Sequence, residues 1–163
     1  MKTKEYNIIV EKHADGLYRF ILSNIRDEFK AQDIVPDSFE KMWINHESVD
    51  FQKAKSFLFR IAYNRMIDVI RRDKKMSGSS AISDRKADDV LDYRQSELRE
   101  IINNALNQLT DIQRSVVLLR DYEGYTYQEI AQITELSEAQ VKVYIFRARQ
   151  HLKNIIGKFE EVV

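Results

Sequence analysis

The sequence predicts an all-α protein made of two small helical domains, and three observations support this fold class. Only four glycines and one proline occur among 163 residues, so few residues interrupt a helix. Apolar side chains recur at steps of three and four through most of the chain, which is the period of an amphipathic helix. No segment shows the alternation of apolar and polar residues that is typical of a half-buried strand.

Composition and charge exclude several classes of function. The chain has 26 basic and 26 acidic residues, so its overall charge predicts no affinity for nucleic acid and only a local cluster could supply one. It has no cysteine, which excludes disulfides and thiolate metal sites. The widely spaced His13, His46 and His151 predict no metal, and no cofactor motif occurs. Without a long apolar run or a signal peptide, we expect a cytoplasmic protein that does not insert into membranes.

The first half of the chain predicts three helices. A long amphipathic helix is expected from Ile9 to Phe29. The second helix is expected to begin near Asp33, because Asp33 can cap it and Pro36 then stands in the first turn, where a proline costs little. Asp33, Asp37 and Glu40 would form an acidic edge at this helix start. Such an edge complements the helix dipole in any protein and is equally suited to a basic partner.

The third helix is expected over residues 51–75, with Asp50 as its cap. Its second half is basic, because residues 65–75 contain five cations and two anions, a local charge of +3. Phe59 and Tyr63 precede these cations on the same helix. Basic groups beside aromatic rings can bind single-stranded nucleic acid, in which unpaired bases stack on the rings. The alternative is that the rings belong to the core and the cations only offset the helix dipole.

A linker is expected between the two domains. Residues 76–95 lose the helical periodicity and contain a Ser/Gly cluster followed by mixed charges. This places one domain at residues 1–75 and the other at residues 96–163.

The C-terminal domain is expected to contain four helices. Three capping boxes mark helix starts, formed by Thr110 with Gln113, Thr126 with Glu129, and Ser137 with Gln140. Gly124 is expected to close a helix, because glycine accepts the left-handed conformation at helix ends. Only Thr134, Glu135 and Leu136 separate the last two helices. A connection this short predicts a helix-turn-helix.

The last helix combines an apolar stripe on one side with a basic surface on the other, and this combination indicates function. Its apolar stripe is formed by Val141, Ile145, Ala148 and Leu152. Between residues 138 and 153 there are four cations and one anion, a local charge of +3, and Val143 and Phe146 stand among the cations. A helix fits the DNA major groove, where Arg and Lys reach guanine or phosphate and apolar groups meet the thymine methyl. The alternative is a solvated helix whose basic end offsets its own dipole.

Three blocks of sequence resemble the sigma-70 family of bacterial RNA polymerase sigma factors, in its extracytoplasmic-function group. They are AQDIVPDSFEKMW for region 2.2, FLFRIAYNRMIDVIRRDKK for regions 2.3 to 2.4, and LRDYEGYTYQEIAQITELSEAQVKVYIFRARQHLK for region 4. The blocks occur in the family's order and cover nearly the whole chain apart from the linker. The resemblance implies a non-catalytic subunit that gives RNA polymerase its promoter specificity.

The family's functional residues transfer to matching positions of this chain. Core polymerase is expected to bind through its largest-subunit clamp to Asp33, Asp37 and Glu40, and through the flap of its second subunit. The residues expected at the melted −10 strand are Tyr63, Asn64, Arg65, Asp68, Arg71 and Arg72. Those expected at the −35 duplex are Gln140, Lys142, Val143, Tyr144, Phe146 and Arg147. An anti-sigma partner is also implied.

The chain departs from the family pattern at two places. Pro36 stands where glutamine is usual, within the core-binding helix. Gln140, Val143 and Tyr144 replace the frequent threonine, serine and arginine of the recognition helix, so the family's −35 preference does not transfer. An alternative function is a stand-alone helix-turn-helix regulator of duplex operators. It would require a sensing or dimerisation domain, and residues 1–75 show no ligand-cleft motif.

Overall fold

The computed structural model describes residues 1–77 and 93–162. Within these ranges the regular structure is entirely helical, which confirms the all-α fold class. The α-helices are α1 (Thr3–Ile25), α2 (Glu28–Ile44), α3 (Ala54–Ser77), α4 (Tyr93–Asn107), α5 (Asp111–Val117), α6 (Tyr127–Thr134) and α7 (Glu138–Val162). The first three helices pack on one another, and the last four form a second group around α5 and α7.

The turn between α1 and α2 lies earlier than the sequence predicted. α1 ends at Ile25 because Arg26 adopts a left-handed conformation, with φ of 57°, and its N–H bonds back to the last turn. Asp27 then caps α2 by accepting the Lys30 N–H. The prediction of one helix reaching Phe29 was therefore wrong. Phe29 lies in the first turn of α2 and is 86% exposed, so it contributes nothing to the core.

The predicted start of α2 at Asp33 was also wrong, because the helix begins at Glu28 and Pro36 lies inside it. An internal proline removes one backbone hydrogen bond. Here a good cap at Asp27 and burial of the apolar face on both sides of the proline offset that loss. The buried side chains around it are Ala31, Ile34, Val35 and Ser38.

The start of α3 follows the sequence prediction. Asp50 caps a short 3₁₀ turn, Phe51–Lys53, by accepting the Gln52 N–H at 3.2 Å, and α3 continues directly from it. Its inward face contains Leu58, Phe59, Ala62 and Met66, each at most 1% exposed. Phe59 is thus a core residue. This agrees with the alternative that its ring belongs to the core and does not stack on a base.

All three predicted capping boxes form. In each, the hydroxyl accepts the amide three residues later and that residue's side chain accepts the cap amide, over 3.0 to 3.3 Å. α5 continues into a π-helical turn, Leu118–Tyr122, and Gly124 follows with φ of +76°. The backbone at Gly124 is left-handed as predicted, because glycine has no side chain to oppose it.

The two groups of helices share one buried apolar cluster. The Tyr125 ring is 2% exposed and lies 4.9 Å from the Phe59 ring, centroid to centroid. Nearby, the buried Ser115 hydroxyl donates to Asn24 Oδ1 at 2.9 Å. Most of the predicted linker lies outside the described residues. Its first two positions, 76 and 77, complete α3, and positions 93–95 begin α4.

Candidate nucleic-acid interface

The turn between α6 and α7 sets the orientation of the last helix. α6 ends at Thr134, and Glu135 adopts a left-handed conformation with φ of 61°, its N–H bonding to the Ala131 carbonyl. Ser137 then caps α7. Val141, Ile145 and Ala148 are at most 1% exposed, as predicted. Because this stripe is buried, the opposite side of α7 faces outward.

Five of the six predicted DNA-binding residues of α7 share this outward side. Val143 is 46% exposed and Phe146 is 62% exposed, so two apolar side chains stand among the polar ones. Tyr144 is the exception, because it is half-buried and packs against the core. The remaining predicted residues of this surface are exposed and polar, namely Gln140, Lys142 and Arg147.

The cations of α7 differ in how available they are. Arg149 is held by Asp121, with Nη2 to Oδ1 at 2.5 Å and Nε to Oδ2 at 3.1 Å. The Lys142 Nζ lies 5.5 Å from the centre of the Tyr127 ring, a weak contact that leaves its charge outward. Among the described residues, Arg147 has no hydrogen-bond or ion-pair partner. Arg147 is therefore the arginine best placed to meet an external acceptor.

Gln140 takes part in the helix cap and also lies on this surface. Its Oε1 accepts the Ser137 N–H at 3.0 Å. A glutamine that reads adenine uses both its carbonyl and its amino group. The cap holds the carbonyl oxygen at the start of the helix and uses one of its two lone pairs, so the amino group is the more available part of the side chain.

The predicted melted-strand residues lie along the second half of α3. Asn64, Asp68, Arg71 and Arg72 are exposed. Arg65 is half-buried, and its Nη2 lies 3.6 Å from Asp37 Oδ2 on α2. Five of the six predicted residues thus form an outward, mostly basic surface.

Tyr63 is the exception, because it is 7% exposed and packs in the common core. Burial raises the pKa of its hydroxyl, and the nearby Asp111 carboxylate raises it further. In this arrangement the ring cannot stack on a base. The sequence could not reveal this, because Tyr63 follows Phe59 by four residues and the pattern does not say which face of α3 is covered by the other domain.

The acidic edge on α2 is exposed but does not stand at the helix start. Asp33, Asp37 and Glu40 are spaced by four and three residues, so they share one face of α2. Since the helix begins at Glu28, all three lie beyond its first turn, where the dipole effect has faded. These residues therefore do not serve mainly to complement the helix dipole. Their exposed carboxylates remain suited to a basic partner.

Ion pairs join the two groups of helices, and no spacing in the sequence predicts them because the partners are far apart in the chain. The shortest is Arg60 Nη2 to Glu135 Oε1 at 2.6 Å. The others are Arg19 to Glu123 at 2.9 Å, Lys74 to Asp111 at 2.7 Å and Lys55 to Glu129 at 3.6 Å. Burial raises the pKa of Asp111, but Lys74 and Arg114 outweigh it and hold the pKa below its ordinary value. Asp111 is therefore ionised at neutral pH.

The described residues contain neither a candidate metal site nor a candidate membrane span. No group of three or more histidines and carboxylates comes close enough to hold a metal ion within residues 1–77 and 93–162. Over the same ranges, no helix has both the length and the hydropathy to cross a membrane.

Comparison with known proteins decides the family. Residues 9–76 match the family model for Sigma-70 region 2, and residues 99–152 match that for Sigma-70, region 4. The ECF RNA polymerase sigma factor SigM of Bacillus subtilis (strain 168) is 31% identical over 156 residues, which cover 92% of this chain and 94% of SigM. The chain belongs to the extracytoplasmic-function sigma factors of the sigma-70 family. It is a promoter-specificity subunit for transcription initiation and not an enzyme.

Other relatives and solved structures agree with this identification. The ferric citrate uptake sigma factor FecI of Escherichia coli (strain K12) is 27% identical, over 85% of this sigma factor and 83% of FecI. The sigma factor RpoE from Bartonella quintana, solved in complex with the anti-sigma factor NepR, superposes with a TM-score of 0.81 at 24% identity, over 95% of this chain and 98% of RpoE. CnrH, solved with the cytosolic domain of CnrY, has a TM-score of 0.74 at 25% identity, over 96% and 90%.

The family membership also decides between the two functions considered from sequence. A stand-alone regulator would use residues 1–75 for sensing or dimerisation, whereas residues 9–76 of this sigma factor match Sigma-70 region 2 and residues 99–152 match region 4. The alternative is not favoured.

Proposed function

We propose a division of labour between the two domains of this sigma factor. Residues 1–75 bind core polymerase and the melted −10 element, residues 96–163 bind the −35 duplex, and residues 76–95 connect them. The observation that carries the proposal is the outward side of α7, where Arg147 stands in a helix-turn-helix without a hydrogen-bond or ion-pair partner in the part of the chain that the structure describes. A helix presented in this way fits the major groove.

The −35 contacts on α7 fall into three chemical types. Arg147 and Lys142 supply donors for guanine edges or phosphates. Gln140 adds a single N–H donor group. Val143 and Phe146, with the half-buried Tyr144, supply apolar surface. The face therefore combines electrostatic attraction with apolar contact.

The −10 contacts are proposed for the outward side of α3. Asn64, Arg65, Asp68, Arg71 and Arg72 are at least partly exposed and border the path of a melted strand. Cations there follow the phosphates, and Asn64 can bond an unpaired base. Tyr63 can join them only after the C-terminal helices move away from α3. Unstacking a base costs a few kcal/mol, which stacking on a ring can offset.

The acidic face of α2 is proposed to bind the clamp of the largest polymerase subunit, through Asp33, Asp37 and Glu40. The flap of the second subunit is proposed to hold the C-terminal domain. Since the two solved relatives were captured with NepR and with the cytosolic domain of CnrY, we also propose an anti-sigma partner for this chain. These partners place the protein in the cytoplasm.

Polymerase is proposed to be necessary for tight promoter binding. The net charge of zero gives the free chain little general attraction to DNA. Two modest contacts become strong together when a scaffold holds them at the right separation, because the second then binds at high effective concentration. We expect the free protein to bind promoter DNA weakly and to lose that binding readily as salt rises.

Run-off transcription tests the proposal. Bacterial core polymerase is mixed with a library of promoter fragments, with and without this protein. We expect protein-dependent initiation, reduced roughly 5- to 100-fold by Arg147→Ala, since one good arginine–base contact contributes about 1–3 kcal/mol. Asn64→Ala should reduce open-complex formation while leaving core binding intact.

Lys4→Ala is the matched control, because it removes a cation from the exposed start of α1 and belongs to neither proposed surface. Its transcription should equal that of the wild type. If Arg147→Ala and Asn64→Ala behave like Lys4→Ala, the proposed DNA-binding surfaces are wrong.

A further inference from the structure

A shallow open groove runs along the outward side of α7. Its walls are Ala139, Gln140, Val143, Tyr144 and Arg147, and they are mostly apolar. Val143 stands in the middle of this set, one helical turn after Ala139 and one before Arg147. Its side chain is 46% exposed although it is β-branched and wholly apolar.

We propose that this groove binds the C5-methyl group of a thymine in the −35 element, with Val143 as the specificity-determining residue. The inference rests on the proposed function of α7 and adds the base that one side chain selects.

Charge complementarity makes DNA the occupant of the groove. Arg147 forms one wall, and Lys142 projects from the neighbouring position of the same turn. With Arg149 and Lys153 they give residues 138–153 a local charge of +3. The DNA major groove has phosphates along its edges and bases on its floor. The cations of α7 can contact the phosphates, and the apolar side chain among them can contact an apolar group on a base. In the major groove that apolar group is the thymine methyl.

Val143 can discriminate between bases only through apolar contact with the thymine methyl. Gln140 uses one lone pair of its carbonyl oxygen to accept the Ser137 N–H, and its amino group is a hydrogen-bond donor. Val143 has no hydrogen-bonding group. A cytosine at this position has no methyl group to bury against Val143, whereas thymine has one.

Replacing thymine by uracil tests the proposal, because uracil keeps the base pair and the O4 acceptor and lacks only the methyl. The −35 element is taken from a fragment that the sigma factor transcribes, and each thymine is changed in turn. Initiation by the holoenzyme is measured at limiting template. For the wild type we expect one position at which uracil weakens the complex about 3- to 5-fold, the value for one buried methyl.

The Val143→Ala variant completes the test. Its side chain no longer fills the groove, so it should bind the thymine and uracil templates equally well at that position. Ile156→Ala is the matched control, since it also shortens an exposed apolar residue of α7 but lies more than three turns beyond Val143. It should retain the wild-type penalty for uracil.

The outcomes separate this inference from the proposed function. The inference is overturned if uracil has no effect at any −35 thymine, or if Val143→Ala shows the same penalty as the wild type while transcription remains promoter-specific. A wild-type protein that starts no transcription from any fragment would overturn the proposed function and this inference together. A Val143→Thr variant, which keeps the side-chain shape and replaces one methyl with a hydroxyl, should show a reduced uracil penalty.

Discussion

Gln140 has a role in folding and a proposed role in recognition. Its carbonyl oxygen accepts the Ser137 N–H at the N-terminus of α7, and its side chain lines the groove beside Val143. The sequence predicted the first role from the Ser137 spacing and the second from the position on the recognition helix. Only the structure shows that the cap uses one lone pair of the carbonyl oxygen.

Replacing Gln140 with glutamate separates the two roles. The carboxylate still accepts the Ser137 N–H, and a negative charge in the first helical turn is favourable, so unfolding stability should be unchanged or rise by about 0.3–1 kcal/mol. Promoter binding by the holoenzyme should weaken about fivefold or more, because the donor is lost and a carboxylate faces phosphates. Chemical denaturation and run-off transcription measure the two quantities.

Ser137→Ala is the complementary variant. It retains the Gln140 amino group and loses a cap, which should cost about 1 kcal/mol of stability. Wild-type transcription by Gln140→Glu would show that Gln140 does not face the DNA.

At the scale of the element, α2 shows how local signals compete. Both Asp27 and Asp33 are good N-cap residues, and Pro36 favours the later start because proline costs least in a first turn. The structure has the earlier start. The earlier start places three apolar residues on one buried face of the helix, namely Ala31, Ile34 and Val35. They share this face only if the helix already includes them. Their burial offsets the one hydrogen bond that the proline removes.

The internal proline therefore carries a cost that can be measured. Pro36→Ala restores an N–H able to donate to the carbonyl of Gln32, one turn earlier, and removes the ring that crowds it. We expect the free energy of unfolding to rise by about 1–3 kcal/mol in urea denaturation of the whole chain. Glu40→Ala, at an exposed position one turn later, should change it by less than about 0.5 kcal/mol. Equal stability of Pro36→Ala and the wild type would show that the proline costs the folded state no more than it saves by restricting the unfolded chain.

At the scale of the whole molecule, the packing of the two domains decides which surfaces are available. The outward side of α7 and the acidic face of α2 are open, whereas Tyr63 is covered. Burial of Tyr125 against Phe59, the Ser115 to Asn24 hydrogen bond and the interdomain ion pairs hold the domains together. Under the proposed function, Tyr63 can contact a melted −10 strand only after these contacts break.

Reversing one charge at this interface should shift the chain toward separated domains. Arg60→Glu places a carboxylate beside Glu135, which turns an exposed attraction of up to about 1 kcal/mol into a repulsion of similar size. We expect a larger radius of gyration by small-angle scattering and severalfold tighter binding of a single-stranded −10 oligonucleotide, because Tyr63 becomes exposed.

The double variant Arg60→Glu with Glu135→Arg restores the opposite charges and should return both measurements to wild-type values. Lys4→Glu changes the net charge by the same amount, outside these interdomain ion pairs, and should leave the radius unchanged. If the double variant behaves like Arg60→Glu alone, the pair does not hold the domains together.

The sequence by itself determined the features that depend on residues close together in the chain. The three capping boxes and the inward stripe of α7 were predicted correctly, because each involves partners three or four residues apart. The helix-turn-helix follows from the same short spacings. The family also followed from sequence, since its motifs are contiguous blocks.

Only the tertiary structure decided which faces are covered. Ser115 and Asn24 are 91 positions apart, and Arg60 and Glu135 are 75 apart, so no periodicity connects them. The amphipathic pattern of α3 cannot tell a ring that awaits a base from one that packs on another domain, because both are apolar groups on the same helix. The burial of Tyr63 depends on long-range packing of this kind, and so does the exposure of Val143 and Arg147 on the uncovered side of α7.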